Sequence, residues 1–335
     1  MTTISTGLGE GPLARQVPPP EPSVDILFDC DTGIDDSMAI AYGAGNGARF
    51  VACTTTHGNV PSATAGRNTV TVLDALGLTD VPVHVGAHRP MAQALETAEW
   101  VHGQDGLGDA GVEQSTRPVA GHLGAAEIVR LAHERPGELT LVAVGPLTNL
   151  GLALLMDPEL PSLVKRVVIM GGAVNTAGNA SPVGEANIWH DPEAAQLVVD
   201  AAWDLTVAGL EITMKTALPT SAIARIESST DPRAQLISTV FQHYLGVYEP
   251  IIGERTCVLH DPLAMALALE PDMATYRLVR VGVELRGERS RGQVVADVRG
   301  FEADPTDPKE PGVVRLVDTL DVERFHENFL TGLGA

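Results

Sequence analysis

The sequence predicts an α/β protein: one domain built on a mostly parallel, open twisted sheet flanked by helices, with its site at the carboxyl ends of the strands. Three observations lead there. Short apolar runs alternate with segments of helical period along most of the chain. The composition, 44% hydrophobic and 19% charged over 335 residues, is that of a globular chain able to bury a large core. The first apolar run also ends in a dense group of acids, Asp29, Asp31, Asp35 and Asp36. Ligands of open α/β sheets bind at such strand ends.

Taken in order, residues 1–23 show little periodicity and end in Pro18-Pro19-Pro20-Glu21-Pro22, so they read as a mobile leader outside the core. A single domain then spans 24–335. Strands are expected at Val24–Asp31, Arg49–Thr56, Val81–Gly86, Leu139–Val144, Val164–Met170 and Leu205–Ile212. Helices are expected at Asp35–Gly45, Ala63–Leu76, Gly124–Glu134, after Pro146, and at Pro192–Ala202. From Ala222 to about Leu269 the pattern is helical. Strands at Tyr276–Leu285, Gln293–Val298 and Val313–Val317 and a terminal helix close the chain.

Charge narrows the function. The net charge is −21 and there are only three lysines, Lys165, Lys215 and Lys309, far apart in sequence. Phosphate backbones need clustered cations, so a nucleic-acid partner is excluded from the expectation, and a small ligand or bound metal suits the chain better. Cys30, Cys53 and Cys257 make neither a disulfide framework nor a zinc motif. Without a signal-peptide pattern or an apolar run of membrane-spanning length, the chain reads as cytoplasmic, with no membrane partner.

The segment Asp29-Cys30-Asp31-Thr32-Gly33-Ile34-Asp35-Asp36 carries the most chemistry. Period-2 alternation puts Asp29 and Asp31 on one strand face, and Asp35 and Asp36 fall in the first turn of a helix, where negative charge is tolerated. Four close carboxylates repel unless a cation or raised pKa values relieve them, and a hard divalent cation is the economical answer. Two other readings stay open at this point. The acids can be plain helix caps facing water. Asp29-Cys30-Asp31-Thr32 also fits D-x-D-x-T, in which the first Asp is the nucleophile of a magnesium-dependent phosphatase, although no lysine here stands in the setting such enzymes need. Gly106-Leu107-Gly108-Asp109-Ala110-Gly111 matches G-x-G-x-x-G but neither follows a clear strand nor opens a helix, so no dinucleotide site is expected.

Residues 29–36 resemble the D-x-D-x-G-x-D-D signature of the nucleoside hydrolase family of the inosine–uridine-preferring type. Four further segments follow in that family's order: Thr56-His57-Gly58-Asn59-Val60; Val144-Gly145-Pro146-Leu147-Thr148-Asn149; Met170-Gly171-Gly172 with Asn179, Glu185, Asn187 and Asp191-Pro192-Glu193-Ala194-Ala195; and Leu259-His260-Asp261-Pro262-Leu263-Ala264.

The resemblance implies a calcium ion held by Asp31, Asp36, the main-chain carbonyl of Val144, and Asp261. A water and the ribose diol would complete a coordination number of about eight. It implies that Asp31 takes the proton of the metal-bound water and that Asp35, Asn59 and Asn187 grip the diol. Asn179 and Glu185 would reach the 5′-hydroxyl. His260 is the expected proton donor to the departing base, Tyr248 an aromatic cover over it, and His102 a residue of a loop flanking the site. Members of this family are often homo-oligomers, so a dimer or tetramer is implied. Two departures stand out: Thr32 replaces the more frequent Pro, and Ala186 stands where many relatives carry Phe, which enlarges the pocket. The expected function is calcium-dependent hydrolysis of ribonucleosides to ribose and free base, important in nucleoside salvage. The alternatives are the Asp29 phosphatase and a non-catalytic nucleoside binder.

Overall fold

The computed structural model describes residues 2–6, 16–22, 24–297 and 305–335. Among them, eleven strands join one sheet: Thr3–Ser5 (β1), Gln16–Val17 (β2), Asp25–Cys30 (β3), Arg49–Thr55 (β4), Val83–Val85 (β5), Thr140–Ala143 (β6), Arg166–Met170 (β7), Leu205–Ala208 (β8), Ala274–Val283 (β9), Val294–Ala296 (β10) and Val313–Asp321 (β11). The order is β10-β9-β11-β8-β7-β6-β3-β4-β5, parallel from β11 through to β5, with β9 and β10 antiparallel at the far edge.

β3 shows why the sheet is central. All six of its residues are buried, as in a parallel strand covered on both faces. Alternation sends Ile26, Phe28 and Cys30 into one apolar layer and Leu27 into the other. The first layer holds the helix Ile34–Gly45 and the helices of the final third. The second holds Gly124–Glu134, Thr148–Met156 and Pro192–Asp200. One helix, His260–Leu269, is buried along its whole length.

Chain order locates the site. From β3 the chain runs outward through β4 and β5, then returns to the other side of β3 as β6 and continues through β7 and β8. Strand order therefore reverses between β3 and β6, which opens a crevice beyond their carboxyl ends. Asp31 follows β3 and Val144 follows β6.

Three expectations need correction. The leader was expected to stand outside the core, yet β1 pairs antiparallel with Thr319–Asp321 and β2 with Tyr276–Arg277. Pieces of two or three residues carry no period from which pairing can be read. The strand expected at Leu205–Ile212 ends at Ala208, and Leu210–Thr213 is a helical turn, because a short apolar run fits either state. The expected strand Gln293–Val298 is reduced to β10; Val298 lies outside the described residues. Gly106–Gly111 is turn and loop and opens no helix.

Candidate active site

The N-terminus of the helix Ile34–Gly45 organises the acids. Asp36 reaches back so that its Oδ1 accepts the Asp31 N–H at 3.1 Å and its Oδ2 accepts the Gly33 N–H at 2.8 Å. These bonds satisfy amides at the entrance to the helix, and the helix dipole favours the charge. The loop after β4 supplies the next two bonds. The Asn59 N–H donates to Asp31 Oδ2 at 2.6 Å and its Nδ2 donates to Asp36 Oδ2 at 2.9 Å. At Gly33 a Cβ would lie 2.5 Å from His102 Nδ1 and 2.8 Å from Asn59 Nδ2, so the turn must be a glycine.

Asp261 arrives from the opposite side, in the first turn of the buried helix His260–Leu269. Carboxylate oxygens of Asp35, Asp36 and Asp261 all lie within 4.8 Å of one another, and all three residues are buried. Asp31 Oδ1 and Asp35 Oδ1 are buried without a hydrogen-bond partner. Burial, then the charge of Asp36, pushes the Asp31 carboxyl well above the usual range. Burial, then Asp35, pushes Asp36 up to about 7 and raises Asp261 as well. A group of oxygen donors that raises its own pKa values and leaves acceptors unsatisfied fits a hard cation. Asp35, Asp36 and Asp261 could hold such an ion, with the main-chain N–H of Asp31 bonded to Asp36.

The other expected residues fall into three groups. Val144 lies in the crevice, but its carbonyl accepts Asn187 Nδ2 at 2.8 Å; the same nitrogen donates to Met170 O at 3.0 Å. Asn187 is thus tied to the ends of β6 and β7. Glu185 is buried as the cap of the short helix Ala186–His190. Its Oε1 accepts Asn187 N–H at 2.8 Å, and its Oε2 accepts Gly172 N–H at 2.8 Å and Ile188 N–H at 3.1 Å. Asn179 is exposed and accepts the Ala186 N–H at 2.9 Å.

His260 and Tyr248 do meet: the tyrosine hydroxyl is 2.7 Å from His260 Nε2, and His260 Nδ1 is 2.8 Å from Thr213 Oγ1. Burial pushes the His260 imidazolium down to about 4, so the ring is neutral at pH 7. His102 accepts the Ile34 N–H on Nδ1 at 3.2 Å, so its approach to Asp35 at 3.8 Å is a contact of a neutral ring. Burial lowers its pKa too.

Two site residues escape a reading of sequence alone. Tyr244 belongs to none of the motifs, yet its hydroxyl donates to Asp35 Oδ2 at 3.0 Å, and its ring stands edge-on to Tyr248 at 4.8 Å. The i,i+4 spacing of these tyrosines is the available signal. Thr213, which holds His260, carries none.

Asp29 needs the opposite correction. It is fully buried, and its Oδ1 accepts Thr54 Oγ1 at 2.5 Å and Asn149 Nδ2 at 2.7 Å. Desolvation raises its carboxyl to about 7. Asp29 is thus bonded to Thr54 and Asn149 and stands apart from the group of Asp35, Asp36 and Asp261, so the nucleophile reading of Asp29 loses its support.

Residues 26–327 match the family model described as inosine-uridine preferring nucleoside hydrolase. The chain belongs to this family. Uridine nucleosidase 1 of Arabidopsis thaliana is 36% identical over 264 residues, 78% of this chain and 79% of that one. The inosine-uridine preferring nucleoside hydrolase of Crithidia fasciculata is 33% identical over 278 residues, 82% and 88% of the two chains. Among solved structures, a plant nucleoside hydrolase superposes with a TM-score of 0.88 at 31% identity, covering 94% of this chain and all of that one. A purine-preferring ribonucleoside hydrolase from Gardnerella vaginalis superposes with a TM-score of 0.85 at 29% identity, covering 92% and 98%. Family membership makes this chain an N-glycosyl hydrolase acting on ribonucleosides. No helix among the described residues is long and apolar enough to cross a membrane.

Proposed function

We propose that the chain hydrolyses the N-glycosidic bond of ribonucleosides with calcium as its cofactor, Asp31 as general base and His260 with Tyr248 as the proton source for the base. The observation that carries this reading is the buried group of Asp35, Asp36 and Asp261, with the Asp31 main-chain N–H donating to Asp36 and Asp31 Oδ1 left free. Calcium bound there would acidify the attacking water and anchor the ribose diol.

The residues divide the remaining work. Asp31 takes one proton from the water as its oxygen bonds to the anomeric carbon, and the carbon–nitrogen bond breaks with its electron pair going to the base. Positive charge that develops on the sugar is stabilised by the surrounding carboxylates, already fixed before reaction by Asn59, Gly33 and Tyr244. The leaving nitrogen takes a proton from the Tyr248–His260 pair. Because His260 is neutral, the proton is that of the Tyr248 hydroxyl; the His260 Nε2–H then donates to the oxygen left behind, and the proton held by Asp31 makes good the loss through solvent once the base has gone.

The test is release of free base from a panel of purine and pyrimidine ribonucleosides, after chelation and after calcium is restored, with wild type and Asp31→Ala. Calcium-restored release that Asp31→Ala loses supports the reading. Full release after chelation would remove the metal from it.

A further inference from the structure

The loop that aims Asp31 and Asp36 ends in a side chain to which the chemistry above gives no part. His57, two residues before Asn59, is completely buried. Its Nε2 is 3.1 Å from Thr148 Oγ1, and Thr148 Oγ1 donates to Asp191 Oδ2 at 2.7 Å. Asp191 is fixed in turn. Its Oδ2 also accepts the Met91 N–H at 3.0 Å, and its Oδ1 caps the helix Pro192–Asp200 through the Ala194 N–H at 3.1 Å.

The proton count gives the chain one direction. A carboxylate oxygen with two donors obliges Thr148 to give its hydrogen to Asp191, so the Thr148 oxygen must accept from His57. Nε2 therefore carries the proton of a neutral ring, a state favoured by burial and by nearby His190. Nδ1 is left buried without a partner. An apolar ring of the same size would spare the fold that unsatisfied acceptor, so what the histidine adds at this position is its Nε2–H bond.

We infer that His57, Thr148 and Asp191 are positioning residues, a hydrogen-bonded brace that holds the 57–59 loop so that Asn59 sets the orientation of Asp31 and Asp36 for the metal. The loop passes hard against Asp31: a Cβ on Gly58 would lie 2.0 Å from Asp31 Oδ2 and 2.7 Å from Pro146 Cδ. Any displacement of the loop is therefore felt by that carboxylate. Through the brace, the loop after β4 is tied to the starts of two helices, Thr148–Met156 and Pro192–Asp200, on the far side of the crevice. Groups bonded behind metal ligands are known to set affinity in this way, typically by 10- to 100-fold.

The inference rests on the proposed calcium site, and its test reads metal binding directly. Calcium is titrated calorimetrically into the chelator-stripped full chain as wild type, His57→Phe, His57→Gln, Thr148→Val and the His57→Phe/Thr148→Val double variant, each with its melting temperature. His57→Phe and Thr148→Val are each expected to weaken calcium binding by about tenfold. The double variant should lose no more than either single one, because both break the same chain. His57→Gln, which keeps a donor near Nε2, should recover most of the affinity. A merely structural role would lower the melting temperature and leave calcium affinity unchanged, and that result overturns the inference. Losses that multiply in the double variant overturn it as well. If wild type binds no calcium, the metal reading fails and takes the brace with it; if wild type binds and His57→Phe binds equally, the brace alone fails.

Discussion

The two ends of β3 treat the same residue type in opposite ways. At its start, Asp25 is clasped by Arg49 and by Arg135 at 2.5 Å, and these arginines hold its carboxyl below the usual range. Past its end, Asp31, Asp36 and Asp261 gather without such a partner, and burial and mutual repulsion drive their carboxyls up. The first end is arranged for stability. The second keeps charge in a place that costs stability, as binding and catalytic sites do.

The largest effect that would test this contrast is on activity. Asp31→Ala removes the proposed base, and base release is expected to fall by about a thousandfold or more, measured by steady-state kinetics with calcium present. Asp25→Asn, at the other end of the same strand, should leave kcat and KM unchanged.

Metal removal comes next. Saturating calcium at about 100 times its Kd should stabilise the chain by roughly 2.7 kcal/mol over the chelated form, visible as a higher melting temperature. The pH dependence of the chelated chain has a definite sign. Asp29 and Asp36 have folded pKa values raised to about 7, so between about 4 and 7 the folded state binds more protons than the unfolded one. Their contribution is complete at low pH and is lost as pH rises through about 7. Chelated protein should therefore melt lower at pH 8 than at pH 5.5 on their account, and calcium should narrow the gap by compensating Asp36. Asp25 runs the other way, with stability present above the ordinary aspartate range and lost as pH falls below it.

The smallest effects sharpen the comparison most. Asp35→Asn can still accept the Tyr244 hydroxyl while removing one charge beside Asp36 and Asp261. It should raise the stability of the chelated chain by about 0.5–2 kcal/mol while impairing turnover. Asp25→Asn should lower stability by no more than about 1 kcal/mol, since Arg49 is largely exposed. If both substitutions shifted the melting temperature in the same direction, the contrast between the two ends would not hold.

One half of this contrast, the acid-rich end, was legible in the chain. Alternating strands and helices give the parallel sheet, and the spacing of Asp31, Asp35 and Asp36 places three acids at one strand end and the helix it feeds. What was not legible depends on partners distant in sequence. Period-2 alternation groups Asp29 with Asp31, but Thr54 and Asn149, 25 and 120 residues away, draw Asp29 into a bond network of its own. Nor does the sequence show that the Asn187 side-chain nitrogen joins Val144 to Met170, 43 and 17 residues away. Nor does an apolar tyrosine stripe announce which hydroxyl faces an acid.

The pairing of β1 with β11 has a consequence for how the chain is made. Thr3 sits opposite Asp321 and Ser5 opposite Thr319. Whatever leaves the ribosome first in this pair must wait for more than three hundred further residues before its partner exists, about 15–60 s at ordinary rates of synthesis. β3, which leads into the acid-bearing turn, pairs with β4 some twenty-five residues later and can assemble early. The seam between β1 and β11 closes late, so a truncated product lacking β11 would leave β1 without its partner strand.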